Sequence, residues 1–364
     1  MGINELNKIS ASILVMQRHV ELIKKVRKRI PKKAIFAFNT NVDAVRHLSK
    51  REIAGLRPPK KLIPIFSAIR KNEQKEVVVD RKTISWLIKN FGADCFLVGG
   101  QAGNAAHTAS LLGVRCFLHS NYKSRSLLSL FRKPENVLIA HGGLFREADR
   151  ISENGEYGVH FIIECERERY IASYDPKKPV VDAEFGKAIG KEIKSINKAF
   201  VGGFHLFEEP SHVIEAANEI RRWKKLNPSL RIHLEMGESQ RKDVLSATKK
   251  CVFPLVDSIG LNAVELRQLF NKKEGESLIL LSKMVREILF HTEKRSIVIP
   301  STKKADESLL FASFVASYRA AKGKLPTFDE LIEFAGERRS FYVEKPVATV
   351  GLGDTFACAY FLTR

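Results

Sequence analysis

Short apolar runs alternate along the chain with longer stretches of helical period. Most of these runs empty into glycine, asparagine or an acidic residue. Leu6, Ile9, Ile13, Val20, Ile23 and Val26 recur at helical steps and predict an amphipathic helix from residue 4 to about 30. Its end is densely basic, with Lys24, Lys25, Arg27, Lys28 and Arg29, then Lys32 and Lys33 around Pro31. Cations there suit a helix C-terminus. Ala34-Ile35-Phe36-Ala37-Phe38 reads as a buried strand that opens into Asn39-Thr40-Asn41-Val42-Asp43. Residues 44–90 are mixed: Arg57-Pro58-Pro59-Lys60-Lys61 reads as a surface link, and 84–91 as a helix broken at Gly92. Cys95-Phe96-Leu97-Val98 is the next strand, and Gly99-Gly100-Gln101-Ala102-Gly103-Asn104 turns it into a small-residue helix. Another strand covers 116–121.

Between Gly155 and Tyr174 the rhythm changes. Residues 159–164 and 169–174 read as paired strands around the charged turn Glu166-Arg167-Glu168. The strand–helix alternation then resumes, with strands at 199–203, 231–236, 258–261 and 296–300, and helices at 210–225 and 309–322. Near the end a β-like run, Phe341-Tyr342-Val343-Glu344, leads through Pro346 to Val350-Gly351-Leu352-Gly353-Asp354-Thr355-Phe356 and an apolar, helix-capable run. This order predicts an α/β fold, a doubly wound, mostly parallel sheet flanked by helices, with a small β-rich lid formed by insertions. The large domain is expected over 1–43, 83–154 and 183–364, and the lid over 44–82 and 155–182.

Composition narrows the class. At 44% hydrophobic and 28% charged, the 364 residues suit a soluble globular chain with ample core. No apolar run is long enough to span a bilayer, and the N-terminus lacks a secretory h-region. The five cysteines lack metal-ligand spacing, which argues for reduced thiols, a cytoplasmic location and no zinc. The formal charge of +20 fits an anionic substrate, a nucleic acid or a lysine-rich proteome. The basic residues are spread out and no zinc-finger or RNP-like motif is present, so nucleic acid is not expected as a partner.

The candidate chemistry lies at the strand ends. Gly351 and Gly353 open a helix N-terminus whose free N–H groups suit a phosphate or diphosphate. Asp354 is out of place beside an anion unless it takes a proton from an attacking hydroxyl; it reads equally as a helix N-cap. Asn41 and Asp43, two apart on an extended segment, offer donors and acceptors to a polyol, or form an Asx-rich turn. With Glu235, Glu265 and the Gly99–Asn104 turn, these signals are expected at one carboxyl edge of the sheet. Glycine turns beside carboxylates, with no Walker lysine, fit Mg²⁺-assisted phosphoryl transfer.

Five motifs in order resemble the ADP-dependent sugar kinases, the glucokinase/phosphofructokinase branch of the ribokinase-like superfamily, over about Phe36 to Leu362. They are Asn39-Thr40-Asn41-Val42-Asp43, Gly99-Gly100-Gln101-Ala102-Gly103, His233-Leu234-Glu235, Asn262-Ala263-Val264-Glu265 and Gly351-Leu352-Gly353-Asp354. The resemblance implies transfer of the β-phosphoryl group of ADP to a sugar or sugar phosphate, giving AMP. Glucose, fructose 6-phosphate and a ribose phosphate all stay open as acceptors. It implies Asp354 as catalytic base, with Gly351 and Gly353 stabilising the transferring group. Gly351, Leu352, Gly353 and Asn262 would bind nucleotide, and Glu235 and Glu265 would hold Mg²⁺, largely through water. Asn41, Asp43, Gly100, Gln101 and the lid residue His160 would grip the sugar. Arg169, then Arg167, Lys177 and Lys178, are candidates for a sugar phosphate. The chain is shorter than this resemblance leads one to expect. A monomer or homodimer is expected, and a non-catalytic or regulatory sugar/nucleotide-binding protein on the same fold is the alternative.

Overall fold

The computed structural model describes residues 3–364 except 55–56, 74, 152, 166–167, 178–180 and 339. Its strands in chain order are β1 (Lys33–Ala37), β2 (Asn41–His47), β3 (Lys75–Val78), β4 (Cys95–Gly99), β5 (Arg115–Leu118), β6 (Val137–His141) and β7 (Leu144–Glu147). There follow β8 (Val159–Cys165), β9 (Glu168–Tyr174), β10 (Lys198–Val201), β11 (Arg231–Glu235), β12 (Ser258–Leu261), β13 (Glu287–His291) and β14 (Ser296–Ile299). Among the described residues they form two sheets.

The larger sheet has nine strands in the order β14-β13-β12-β11-β10-β1-β5-β6-β7. Its inner pairs are parallel, and β14 and β7 close the edges antiparallel. The runs that read as buried are buried because helices cover both faces. On one face Phe36, Phe200 and Leu118 pack with the helices Gln101–Leu111, Lys303–Lys322 and Leu352–Thr363. On the other, Ile35, Val201 and Leu234 pack with Pro210–Leu226, whose Trp223 is fully buried. Residues 297–299 do form a late strand, but on the edge. The neighbouring β13, and β6 and β7, fall in stretches where no strand was expected.

The smaller sheet has the order β3-β9-β8-β2-β4. Its helical side buries Ala44, Phe161, Ile163 and Tyr170 against Ile65, Phe66, Ile84 and Leu87. The hairpin expected at 159–174 is present as antiparallel β8 and β9. The two strands on the far side of β8 from the hairpin, β2 and β4, revise the expected division. The strand β2 contributes Asn41 and Asp43 to this sheet, and the helix Arg81–Phe91 and β4 also belong to it. Residues 83–99 therefore pack with the small unit, not the large one.

Two further expectations change. The Gly99 turn does not leave a main-sheet strand: β4 runs antiparallel to β2 in the smaller sheet. The run Phe341–Glu344 is not a strand. Phe341 packs edge-on against Phe314 with ring centroids 4.6 Å apart, and its carbonyl accepts from Ser317 Oγ. Its backbone is thus used by a helix side chain, and no ladder forms. The turn at Gly351 is instead held by what precedes it. Val350 is buried among Val45 and Ile162 of the small sheet, and Thr349 Oγ1 donates to Glu164.

The centre of the larger sheet depends on aromatic filling. Phe36 on β1 is fully buried and lies 6.3 Å from the Phe200 ring on β10. Phe36→Ala is expected to destabilise by about 3–5 kcal/mol in denaturant melts, the range for a large core truncation. A loss within a few tenths would show that this site collapses freely.

Candidate active site

A cradle of buried polar groups is built where β2 enters the small sheet. Asn41 and Asp43 are both buried, and Asn41 Nδ2 donates to Asp43 Oδ1 at 2.8 Å. That leaves Asn41 Oδ1 buried without a partner among the described residues, an acceptor aimed at something else. Their depth depends on the Gly99-Gly100 backbone. A Cβ on Gly99 would overlap the Asp43 carboxylate. One on Gly100, whose φ is +74°, would lie 2.7 Å from Asn41 Oδ1 and from Asn39 O. Burial lifts the Asp43 carboxyl to about 6, although His160 and Asn41 pull it down.

His160 pairs with Asp43 across β8 and β2. Its Nε2 lies 3.0 Å from Asp175 Oδ2. Burial alone would lower its pKa, but Asp175, Asp43 and Glu76 outweigh it and raise it to about 9. Glu76 on β3 accepts from Ser173 Oγ on β9. His205, just after β10, is pushed down by burial, and its Nδ1 has no partner among the described residues.

The second half of the site is the turn into Leu352–Thr363. Gly351 has φ +66°, and a Cβ there would sit 2.7 Å from Asn104 Oδ1 and from Arg319 Nη2. Asn104 Nδ2 donates to Asp354 Oδ2 at 3.2 Å, and Asn104 N donates to Gly100 O at 2.8 Å. One helical turn therefore joins that cradle to Asp354. Burial, then the charge of Glu235, lifts the Asp354 carboxyl to about 7, against the pull of Arg319.

Glu235 ends β11 and is buried. His233 Nε2 lies 3.2 Å from its Oε2, and His291 Nε2, at the end of β13, lies 2.9 Å from its Oε1. Burial raises the Glu235 carboxyl, yet His291 and His233 carry it below its usual value. Glu265 is the third residue of its helix and forms a capping box with Asn262. Its two oxygens accept from Asn262 N at 2.8 Å and Asn262 Nδ2 at 2.9 Å. Burial, then Glu235, lifts the Glu265 carboxyl to about 7.

Among the described residues no three His, Cys, Asp or Glu side chains form a metal cluster. Both oxygens of Glu235 and of Glu265 already have partners, so direct coordination does not fit. A water shell between cation and carboxylates would be needed: Glu235, itself held low by His291 and His233, raises the carboxyls of both Glu265 and Asp354.

The remaining candidates separate. Gln101 bolts two strand ends together, donating to Met236 O and accepting from Gly203 N at 2.6 Å. Its amide is spent on main chain. Arg169 pairs with Glu164 on the site face of the sheet, but four residues along from His160, about 13 Å at strand rise. Arg167 and Lys178 lie outside the described residues. Lys177 is exposed, with Nζ 3.1 Å from Asn121 O. Asn262 holds the cap, not an open position. Asn104 stood in the glycine run already singled out, and Asp175 follows the hairpin. His291, Glu76 and Arg319 carry no local signal, being single polar residues in ordinary strand and helix patterns.

Comparison with known proteins gives a consistent result. The model of the ADP-specific phosphofructokinase/glucokinase conserved region matches residues 56–333. The chain is 23% identical over 442 residues to the ADP-dependent glucose/glucosamine kinase of Pyrococcus furiosus, covering 93% of this chain and 96% of the relative. It is 24% identical to the ADP-specific phosphofructokinase of Methanosarcina acetivorans, covering 93% and 84%. A solved ADP-dependent kinase in complex with fructose-6-phosphate and ADPβS superposes with a TM-score of 0.82 at 22% identity, over 96% of this chain and 97% of that one. A probable sugar kinase from Rhizobium etli gives 0.53 at 12% identity, over 88% and 96%. The fold is thus the ribokinase-like, mostly parallel α/β arrangement that the motifs led one to expect.

The raised pKa of His160 has a direct test. Its stabilising contribution is fully present below the ordinary value of 6.5 and is lost as pH rises through about 9. Proton NMR should find the ring still charged at pH 8. Asp175→Asn should lower its titration by about one unit or more. A ring that titrates near 6.5 in the unaltered protein contradicts this geometry.

Proposed function

This chain belongs to the ADP-specific phosphofructokinase/glucokinase family, and we propose that it moves the β-phosphoryl group of ADP onto a hydroxyl of a neutral sugar. The observation that carries this reading is the short link from cradle to base. Asn104 bonds Gly100 with its main chain and Asp354 with its side chain. A hydroxyl held by Asn41 and Asp43 is thereby placed on the same helical turn that orients a carboxylate with a pKa of about 7.

In this mechanism Asp354 accepts the hydroxyl proton as the sugar oxygen bonds to the β-phosphorus. The bond from that phosphorus to the bridging oxygen breaks, and AMP leaves with the electron pair. The N–H groups at the start of Leu352–Thr363 face the transferring oxygens, and the helix dipole favours their charge. A carboxyl that titrates near neutrality is suited to accept a proton there. Mg²⁺, when bound, supplies positive charge to the phosphate oxygens, and Glu235 and Glu265 would hold it through water.

The charge of the cradle supports a neutral acceptor. Asp43, Glu76 and Asp175 face the His160 imidazolium, with Arg319 adding a weaker pull on Asp43, so carboxylates outnumber cations where an added phosphate would enter. An amino sugar would meet an attractive field. A second reading, a sugar phosphate, has one observation in its favour. A cavity of about 560 Å³ is lined by Lys123, His141 and Lys177, the last of them two residues on from Asp175. Its walls also carry Glu153, Asp182 and Glu184, and Lys123 is already paired with Glu184.

The test is a panel of glucose, glucosamine and fructose 6-phosphate crossed with ADP and ATP. Turnover is expected with ADP and the neutral or amino sugar. Preference for fructose 6-phosphate would replace the first reading by the second, and no turnover with any pair would favour a non-catalytic binding protein. Asp354→Asn should lower kcat by about 10²–10⁴, the usual worth of a general base, with nucleotide affinity kept. Near-normal turnover would remove Asp354 from this role.

The cation reading is tested at Glu235→Gln and Glu265→Gln. Each should raise the Mg²⁺ concentration needed for half-maximal nucleotide binding, measured calorimetrically, while sugar binding without nucleotide is unchanged. An unaltered Mg²⁺ dependence in both would make these carboxylates structural.

A further inference from the structure

Arg319 lies on the helix Lys303–Lys322, directly beneath the Gly351 turn, and only 5% of it is exposed. A guanidinium in such a position is expensive to bury unless it is paired. Among the described residues, however, no carboxylate lies at salt-bridge distance. Its contacts are all to neutral acceptors. Nη1 donates to Thr355 Oγ1 at 2.6 Å, Gly351 O at 3.1 Å and Asn104 Oδ1 at 3.2 Å, and Nη2 donates to Asn104 Oδ1 at 3.1 Å. The carboxylates in its field are Asp354 and Asp43, one from each half of the site.

These contacts decide which way the Asn104 amide points. An amide has one acceptor end and one donor end. With two guanidinium N–H groups on Oδ1, the Nδ2 end must face Asp354, and it does, at 3.2 Å. Reversed, the amide would set its NH₂ against a cation and its oxygen against a carboxylate. The same guanidinium fixes the carbonyl of Gly351 and the hydroxyl of Thr355, the residues that bracket the anion-facing turn.

We propose that Arg319 is a positioning residue for phosphoryl transfer: acting through Asn104 and Gly351, it orients the Asp354 carboxylate and keeps it the proton acceptor. This rests on the reading of Asp354 as the base. The groups facing Asp354 make the charge balance explicit. Glu235 on β11, Glu265 at its capping box and Asp43 on β2 repel its anion. His291 on β13 and Arg319 favour it, and the buried thiol of Cys358 on its own helix is held neutral. Of the two cations, His291 is bonded to Glu235, whereas Arg319 has no direct anionic partner among the described residues.

The experiment compares Arg319→Met, Arg319→Lys and Asp354→Asn in the full chain, reading kcat and KM against pH. In Arg319→Met, kcat at pH 7 is expected to fall about tenfold or more, with the sugar KM within about twofold. The acid limb of the kcat profile should move up by about one pH unit, because a cation that favoured the carboxylate is gone. Arg319→Lys should restore the acid limb but not the full kcat, since an ammonium cannot reproduce the forked contacts. If Arg319→Met does not fold, Asn104→Ser tests the same link with the cation left in place. It too should lower kcat and raise the acid limb. An unmoved acid limb in a folded variant, or kcat and KM changing in step, overturns the proposal. Asp354→Asn separates the two readings. If it keeps its turnover, the base assignment falls. If it is inactive while Arg319→Met behaves as the unaltered enzyme, only the positioning role falls.

Discussion

Buried like charge is the constraint around which this site is built. Asp43, Glu235 and Glu265 are buried and Asp354 is half-buried; the four come from different elements, with Asp354 in the field of Glu235 and Asp43, and Glu265 in the field of Glu235 and Asp354. Desolvation with this repulsion pushes Glu265 and Asp354 up to about 7, and desolvation with Glu76 pushes Asp43 to about 6. Much of the surrounding structure answers that repulsion. His291 and His233 sandwich Glu235, His160 stands beside Asp43, and Arg319 lies beneath both halves. The remaining imbalance is what leaves a carboxylate able to take up a proton near neutrality.

Such crowding requires close backbone approach, and two joints supply it. At the first, the Gly99-Gly100 turn lets the end of β4 lie against the Asn41 and Asp43 side chains. At the second, Val350 and Thr349 rest on the smaller sheet immediately before the Gly351 turn. The anion-facing turn is therefore in physical contact with the sheet that carries His160. Any movement of that sheet relative to the larger one must also move the approach to Asp354.

How much of this was legible in the chain depended on whether the signal was local. The buried runs around Phe36, Phe200 and Ile232, and the hairpin at 159–174, are period and composition, and they appear where the pattern put them. Of the motif residues, Asn41 donates to Asp43, Glu235 lies near enough to raise the Glu265 carboxyl, and Asp354 is the third residue of a helix capped by Gly351, not its N-cap. Gln101 and Arg169 read as sugar ligands because they stood in or beside such motifs. The fold spends the first on the main chain of two strand ends and sets the second at the far end of its sheet face.

What the sequence determined by itself was the class of fold and the inventory of chemistry, because hydrophobic period and glycine-rich turns act over a few residues. Only the tertiary structure decided which sheet each strand joined and which charges faced one another. The strand β2 joins the smaller sheet although it follows β1 by a few residues, and the run at 341–344 packs on Phe314 and Ser317 of the helix Lys303–Lys322 and forms no strand. Arg319, His291 and Glu76 belong to unremarkable local patterns, and gain their place only because distant elements pack around them. Electrostatic energy falls off through space, not along the chain, so the balance of charge at Asp354 could not be read before the chain was folded.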